Sequence, residues 1–260
     1  MRQPMAVAGT EAVEALEVHR PLPAREWVVS LLVFALAWEL ASLFFPPYAV
    51  PGWARIGSRL LALRADFVAV TVVRVFGALG LSFLLGVGGA VIFYRWQVLE
   101  RYVMPLVKLL MAVPVVCWIL FAVLWFRGTE ARIAFVLVVV CAPIFLIDVL
   151  DGMRGVGREW REMLLSFRPT SFQFFTKLIL PATLPVILTS WKINLSLAIR
   201  VVTMAELVGA TSGIGYGLVV AQELFSVADV FAWTVVLVLI LLALQAGVTG
   251  IERRVLRWRD

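Results

Sequence analysis

The sequence predicts an all-α membrane protein that crosses the bilayer about six times. Hydrophobic residues make up 62% of its 260 residues and charged residues only 15%, whereas a soluble domain is about half apolar and a quarter charged. The apolar residues form stretches of about 20 residues, which is the length that a helix needs to cross about 30 Å of hydrocarbon. The chain is therefore expected to lie mostly in lipid, as a polytopic protein.

The six predicted spans begin near the N-terminus and continue almost to the end of the chain. Their approximate ranges are 27–45, 68–93, 102–126, 133–150, 184–208 and 230–251. Residues 1–26 form a polar N-terminal segment that does not resemble a cleavable signal peptide, and residues 27–260 form one transmembrane domain. No second, soluble domain is expected.

Prolines and glycines set the character of the first three spans. Pro46 and Pro47 end the first span, because proline cannot continue a hydrogen-bonded helix. Five glycines in the second span allow a neighbouring helix to approach closely. Pro105 and Pro114 lie within the third span and free backbone groups that only protein or a water-lined cavity can satisfy in the membrane. The third span is therefore expected to face protein or a path.

A short amphipathic helix is predicted between the first two spans. In residues 53–67, the side chains of Ile56, Leu60 and Leu63 fall on one helical face and the arginines fall elsewhere. That pattern is typical of a helix that lies along the membrane surface.

The positions of the basic residues predict the orientation of the chain. Most of the 23 Lys and Arg residues lie in the N-terminal segment, around the connection between the second and third spans, in residues 151–183, and after the last span. Cytoplasmic segments retain Lys and Arg, so both termini and residues 151–183 are expected to be cytoplasmic. The same distribution accounts for the net charge of +6 without a nucleic-acid partner.

Several kinds of chemistry are excluded by the residues that the sequence contains. His19 is the single histidine, which excludes histidine-based metal clusters and a Ser-His-Asp triad. Cys117 and Cys141 lie in apolar stretches and are expected to be small buried hydrophobes. The chain has no G-x-x-x-x-G-K-[ST] loop to hold phosphates. No cofactor, metal or ATP is therefore expected on this chain.

Residues 151–177 form the longest polar stretch of the sequence and make up most of a loop at 151–183. Within them, Glu159–Phe167 mixes apolar and charged residues in the manner of a short amphipathic helix. Such a helix at a membrane surface either lies in the lipid headgroups or inserts into a groove on a partner. The stretch is therefore expected to contact something outside the chain.

A break and a second helix follow in the same stretch. Arg168 and Pro169 interrupt the first helix, and Thr170 is placed to cap the second. Pro181 and Pro185 are expected to end the second helix before the fifth span begins.

This stretch resembles the EAA loop of ABC-importer permeases. That motif is E-A-A, three residues, a glycine, ten residues and an I/V-L-P ending, and residues 162–181 read EMLLSFRPTSFQFFTKLILP. Met163 and Leu164 replace the two alanines, and Arg168 replaces the glycine. The matching positions are Glu162, Thr170, Gln173, Leu180, Pro181 and Pro185.

In that family the loop is the coupling helix that docks onto a cytoplasmic ATPase. The resemblance therefore implies an ATPase-coupling role for Glu159, Glu162, Met163, Ser166, Phe167, Arg168, Pro169, Thr170 and Phe172.

Four other stretches resemble the same family, so that the resemblance covers most of the chain. Residues 71–77 are similar to S-x-x-R-x-x-x-G, and residues 105–128 are similar to the family's P…IP…LWFG stretch. Residues 206–216 are similar to E-x-x-x-x-x-x-G-L-G-Y/W, and residues 252–259 are similar to E-R-R-x-x-x-W-R. The last two are most similar to the branch that imports sulfonates, taurine, nitrate, bicarbonate or precursors of thiamine and riboflavin.

The resemblance implies a type I ABC-importer permease fold and a role in transport. Such a permease is a homodimer in a bacterial inner membrane, bound to two cytoplasmic ATPase subunits that carry ATP and Mg and to an extracytoplasmic substrate-binding protein. The implied cargo is a small anionic solute of the sulfonate, taurine or nitrate kind, with precursors of thiamine or riboflavin as the alternative. The chain itself is expected not to be an enzyme.

Ionisable residues inside the spans are candidates for the translocation path, because a charge in hydrocarbon costs at least a few kcal/mol and marks a pair or a path. For Arg74 and Arg200, a structural ion pair and a cavity role both stand open, with Glu206 and Asp148 as plausible partners. The glycine-rich residues 209–229 either turn tightly or re-enter beside the path. The candidate path residues are Arg74, Pro114, Asp148, Arg200, Glu206, Ser212 and Tyr216.

Two other functions fit parts of the sequence. An integral-membrane transferase would use Glu206, Asp148 and Arg200 at the lipid interface, but the sequence offers no clustered aspartate pair for a metal. A channel or secondary transporter would leave residues 151–183 without a role.

Overall fold

The computed structural model describes residues 24–255, which form helices joined by short turns. Within those residues there is no strand, in agreement with the all-α prediction. Most of the predicted N-terminal segment 1–26, including His19, and the end of the 252–259 similarity lie outside the described residues. The chain divides into two compact units, Met1–Arg55 and Ile56–Asp260.

The first unit contains helix α1 (Ala24–Phe44) and the start of helix α2 (Trp53–Ala62). The end of α1 just before Pro46 confirms the predicted proline stop. Trp53 returns to α1, because its indole Nε1 donates a hydrogen bond to the carbonyl oxygen of Ala35 at 2.9 Å. Most described apolar side chains of α1 are exposed, as expected for a helix in lipid.

The second unit holds the remaining helices. They are α3 (Ala65–Arg95), α4 (Gln97–Ala112), α5 (Val115–Trp125), α6 (Thr129–Arg154), α7 (Arg158–Ser166), α8 (Ser171–Phe174), α9 (Leu180–Leu207), α10 (Ile214–Glu223) and α11 (Val227–Val255). A π-helical turn, Phe175–Ile179, joins α8 to α9.

The core of this unit lies where α6 packs between α3 and α9. Leu79 of α3, Leu137 and Phe145 of α6, and Leu195 of α9 are completely buried in one hydrophobic cluster. Phe145 also contacts Trp191 of α9, with ring centroids 5.7 Å apart. The three helices therefore form the rigid centre to which the other helices attach.

Close packing of α3 on α6 depends on glycine at one point. A Cβ atom on Gly86 would lie 2.6 Å from the Cβ of Phe145 and 2.7 Å from the carbonyl oxygen of Ala142. By contrast, a Cβ atom on Gly88 would meet no other atom within 4 Å. The glycines of the second predicted span thus have unequal roles, and Gly86 is the one that sets the distance between the helices.

Among residues 24–255, four helical segments are long and apolar enough to cross a membrane. They are Ala65–Arg95, Thr129–Arg154, Ser171–Leu207 and Val227–Val255. The bent pair α4 and α5 is a possible fifth crossing, and α1 contains the shorter apolar stretch Val28–Phe44. The predicted first span therefore stays a prediction, and the other predicted spans correspond to these helices.

The third predicted span, 102–126, is not one straight helix. The chain bends by 95° between α4 and α5, at Val113 and Pro114. Val113 has the extended dihedral angles φ −75° and ψ 127°, because the residue before a proline is driven out of the helical region. Pro105, in contrast, lies inside α4.

The prediction that Pro181 and Pro185 end a helix before the fifth span is wrong. The helix is continuous from Ser171 to Leu207. Its π turn ends with the amide N–H of Leu180 donating to the carbonyl oxygen of Phe175, and Pro181 follows directly, early in α9 where a missing N–H is tolerated. The polar connection predicted at 151–183 is consequently shorter, because α6 continues to Arg154 and helix resumes at Ser171.

We expect Gly86→Ala to lower the free energy of unfolding by about 1–3 kcal/mol, since the added methyl group forces α3 and α6 apart. The matched change is Gly88→Ala, which meets open space and is expected to stabilise the helix by about 0.5–1 kcal/mol. Thermal unfolding of the purified protein in detergent measures both. Equal effects of the two changes would contradict the packing described here.

Candidate functional site

The segment between α6 and α9 lies at one end of the second unit, which we call the α7 end. Arg161 of α7 fastens this helix to α6, because its Nη2 donates to the carbonyl oxygens of Met153 at 2.9 Å and Arg154 at 3.2 Å. The Arg154 side chain in turn forms a bidentate ion pair with Glu100 of α4. Two guanidinium groups thus connect α7 to α6 and α6 to α4.

The outer surface of the segment is apolar and exposed. The side chains that are more than half exposed are those of Trp160, Met163, Leu165, Phe167 and Phe172. Among them lie exposed charged and polar side chains, including Glu159, Glu162 and Ser166. Arg158 forms an ion pair with Glu162, one turn away on the same helix. A surface of this composition is suited to burial against a partner rather than to contact with water alone.

The turn between α7 and α8 has an unusual backbone. Arg168 has φ +49°, which is the left-handed region where a residue with a side chain is strained by about 1–2 kcal/mol. Glycine adopts that region freely, and Arg168 is the position at which the EAA motif has glycine. The turn geometry that suits glycine is therefore kept although the residue has changed.

Thr170 fixes the other side of this turn. Its Oγ1 accepts a hydrogen bond from the amide N–H of Gln173 at 3.2 Å, and its own N–H donates to the Gln173 side chain at 2.9 Å. This reciprocal capping box confirms the prediction that Thr170 caps a helix. Pro169, which precedes Thr170 in the turn between the two helices, is half-buried.

The opposite end of the unit carries a buried ion pair, and we call it the Glu206 end. Arg74 Nη1 of α3 donates to Glu206 Oε1 of α9 at 2.8 Å. Both side chains are almost completely buried. The Glu206 carboxylate also accepts hydrogen bonds from the Thr71 hydroxyl at 2.9 Å and from the amide N–H of Gly215 at 2.9 Å.

The same arginine binds two further groups. Its Nη2 donates to Glu130 Oε1 of α6 at 2.6 Å and to Ser212 Oγ at 3.0 Å, and its Nη1 donates to the Ser212 carbonyl oxygen at 2.7 Å. Glu130, unlike Glu206, is largely exposed. Arg74 therefore joins α3, α6, α9 and the 208–213 loop, and the ion-pair alternative for Arg74 is the one observed.

Two glycines make room for the Glu206 carboxylate. Gly213 has φ +105°, and a Cβ atom there would lie 2.3 Å from Glu206 Oε1. A Cβ on Gly215 would lie 2.4 Å from the carbonyl oxygen of Thr203. The glycines of this loop thus serve both a tight turn and a close approach of the backbone to a buried side chain.

The other predicted path residues lie apart from this cluster. Tyr216 packs edge-on against Phe67 with ring centroids 5.7 Å apart, and Pro114 lies at the bend between α4 and α5. Asp148 accepts a hydrogen bond from Ser190 at 2.5 Å. Asp148 is therefore not the partner of either arginine.

Arg200 lies on an open face of α9. Its side chain is exposed and has no hydrogen bond or ion pair with any residue in the range 24–255. Thr189, Ile193 and Met204 are exposed on the same face, and next to it a cavity of about 300 Å³ is lined by Asp148, Val186, Thr189, Ser190 and others. A larger cavity of about 650 Å³, lined by Asp148, Asp151 and Trp160, continues towards α7.

Three residues of these sites are not found by reading the sequence. Glu130 and Thr71 bind the ion pair, and Arg161 ties α7 to α6. Glu130 is separated from Arg74 by 56 positions, and no spacing rule connects them. Arg161 looks like one more charged residue of an amphipathic helix until its carbonyl acceptors are visible.

Comparison with protein families matches residues 78–257 to the family described as the binding-protein-dependent transport system inner membrane component. The chain belongs to this family. It is thus the multi-pass permease subunit of an ABC importer, as predicted, and not an enzyme, because ATP hydrolysis in such systems is the task of a partner.

Individual relatives agree with that assignment. The permease is 27% identical over 248 residues to the formylaminopyrimidine transport permease protein ThiX of Halalkalibacterium halodurans, covering 93% of this chain and 99% of the relative. It is 24% identical to the taurine transport system permease protein TauC of Escherichia coli, covering 85% of this chain and 84% of the relative.

The fold is shared with a solved transporter. The structure of inward-facing MetNI methionine ABC transporter matches with a TM-score of 0.68 and 21% identity, covering 75% of this chain and 97% of that chain. This likeness confirms the type I importer permease fold. Within residues 24–255 of the permease, no group of three or more His, Cys, Asp or Glu side chains is placed to hold a metal ion.

We expect Glu206→Gln to destabilise the permease by about 3 kcal/mol, since it removes one charge of a buried pair and leaves the other partly uncompensated. Glu130→Gln removes an exposed partner of the same arginine and is expected to cost less than about 1 kcal/mol. Unfolding midpoints in detergent compare the two variants. A larger loss for Glu130→Gln would show that Glu206 is not the principal partner.

Proposed function

We propose that two copies of this permease form a translocation path and that the α7 segment, residues 155–170 with Phe172, docks onto a cytoplasmic ATPase subunit. The single observation that carries the proposal is the exposed apolar surface of α7, held rigidly at one end of the unit. Exposed large apolar side chains at an ordered surface mark a contact site. Both termini and the α7 end then lie in the cytoplasm, as the Lys and Arg distribution predicts.

The attachments of α7 support a mechanical role. Arg161 binds the last carbonyl groups of α6, and on the other side the helix from Ser171 to Leu207 is continuous. A displacement of α7 is therefore passed to two long helices that reach the opposite end of the unit. The ATPase shifts the permease between inward-open and outward-open states only if its contacts with α7 differ between them.

The open face of α9 supports assembly with a second copy. Arg200 and the Asp148 cavity lie along this face, and a charge is costly against hydrocarbon. A second permease placed against the face would enclose these groups in a water-accessible path. A substrate-binding protein would deliver the solute at the Glu206 end.

The charges of that face favour a small solute with an anionic group. Arg74 is neutralised by Glu206 and Glu130, whereas Arg200 on the open face of α9 has no partner among residues 24–255 and is placed to attract an anion. Ser190, the partner of Asp148, lies about 15 Å from Arg200 along α9, since ten residues separate them. A path with one cation and one carboxylate suits a taurine-like aminosulfonate.

The nearly full-length similarity to a formylaminopyrimidine permease supports a thiamine precursor as the second candidate.

We expect Phe167→Ala to weaken binding of the partner ATPase about tenfold or more, because a buried aromatic anchor carries much of the energy of an interface. Phe225→Ala is the matched control, since Phe225 is also an exposed phenylalanine but lies in the turn between α10 and α11. Co-purification of the ATPase with each variant measures the effect. Equal recovery of the ATPase with both variants would remove α7 as the docking site.

We expect Arg200→Gln to lower taurine uptake about tenfold in proteoliposomes that contain the permease, its ATPase and its binding protein, because the path loses its charge-assisted contact with the sulfonate. ATPase assembly should be unchanged. Lys108→Gln removes an exposed cation of α4 and serves as the control. Uptake of formylaminopyrimidine but not taurine by the unaltered complex would favour the second candidate.

A further inference from the structure

The turn between α7 and α8 contains an exposed arginine in a backbone conformation suited to glycine. Arg168 has φ +49°, and its amide N–H donates to the carbonyl oxygen of Leu165 at 3.0 Å. The turn is therefore closed by the backbone of Arg168 and does not need its side chain. Glycine would form the same turn without strain.

The surroundings hold this conformation in place. Pro169 and Leu165 line an apolar cavity of about 460 Å³ together with Phe174 and Val91. On the other side, the reciprocal hydrogen bonds of Thr170 and Gln173 fix the start of α8. The hydrogen bonds between Thr170 and Gln173 therefore restrict the backbone that follows Arg168.

The guanidinium group of Arg168 is free, in contrast to the neighbouring arginines. Arg154 pairs with Glu100, Arg158 pairs with Glu162, and Arg161 binds carbonyl groups of α6. The side chain of Arg168 is exposed and contacts no hydrogen-bond acceptor or carboxylate among residues 24–255. In the sequence Arg168 lies between Phe167 and Phe172, whose side chains are both exposed.

We infer that Arg168 is a charged contact to the ATPase and that the docking groove of the ATPase carries a carboxylate opposite it. The inference rests on the proposed function, because it needs α7 to be the docking surface. Glycine would form this turn better than arginine does. The feature that Arg168 contributes in place of glycine is therefore its guanidinium group. A guanidinium and a carboxylate form two parallel charge-assisted hydrogen bonds, and such a pair surrounded by apolar side chains is shielded from water.

The contact also makes Arg168 a determinant of partner choice. An ATPase whose groove is neutral or basic at this point would leave the guanidinium buried without a partner, which opposes binding. The permease is therefore matched to an ATPase with an acidic groove. Lys would supply the charge but not the bidentate geometry.

The test compares Arg168→Gly with the unaltered permease in the purified, detergent-solubilised state, with its own nucleotide-free ATPase as the probe. We expect Arg168→Gly to weaken ATPase binding about tenfold while its unfolding temperature is equal or higher, because strain is relieved. Arg168→Lys should fall between the two. A purely structural role predicts the opposite, namely that glycine preserves or improves binding.

Two controls sharpen the result. Arg127→Ala removes an exposed arginine in the turn between α5 and α6, outside the α7 segment, and the affinity of this variant for the ATPase should stay within about twofold of the unaltered protein. Arg168→Glu should bind more weakly than Arg168→Gly, and replacing the opposing ATPase carboxylate by arginine should restore its binding. The affinity of the unaltered permease for the ATPase should also fall more steeply with rising salt concentration than the affinity of Arg168→Gly does.

Several outcomes would overturn the inference. The first is that Arg168→Gly binds the ATPase as well as the unaltered permease does. The second is that Arg168→Gly binds vesicles of anionic lipid more weakly but binds the ATPase normally, which would make Arg168 a lipid contact. If Phe167→Ala still abolished ATPase binding in those cases, α7 would remain the docking surface and only the role of Arg168 would be rejected. If neither variant affected binding, the proposed function would fall as well.

Discussion

The structure depends on the neutralisation of one buried arginine. Arg74 lies inside a membrane-spanning helix, where an unpaired charge costs several kcal/mol, and it can be kept there only if carboxylates reach it. Glu206 supplies the buried partner and Glu130 the exposed one. Because these three residues belong to α3, α9 and α6, the requirement to neutralise Arg74 also determines how the ends of the three core helices meet.

The same cluster explains the loop that follows α9. Ser212 binds Arg74 through both its hydroxyl and its carbonyl oxygen, and Gly215 donates its amide N–H to Glu206. The loop is thus folded around the ion pair, and side chains at Gly213 or Gly215 would collide with it. This end of the unit is closed by polar contacts within the chain.

The α7 end has the opposite character. Its surface carries exposed aromatic side chains and, among residues 24–255, an unpaired guanidinium on Arg168, which is the composition of the docking surface proposed above. The two ends are connected by α6, whose 26 residues span about 39 Å and carry Glu130 near one end and the acceptors of Arg161 near the other. One rigid helix therefore touches both the closed polar cluster and the proposed docking surface, which is the arrangement that a mechanical coupling requires.

The sequence by itself determined the fold class and the places of the apolar helices, because these follow from the length of the hydrophobic stretches. It determined the helix cap at Thr170 through local hydrogen-bonding preferences, and the family through motifs read along the chain. It did not determine the bend at Pro114 or the continuous helix through Pro181 and Pro185, since a proline can either break a helix or lie within one and only the structure shows the backbone conformation at each place. Nor did it decide whether Arg74 and Arg200 form structural ion pairs or line the translocation path. Only the tertiary structure brought Glu130, Thr71 and Glu206 to Arg74 and left Arg200 without a partner among residues 24–255. The reason is that an ion pair between distant positions depends on how helices pack and leaves no spacing in the sequence.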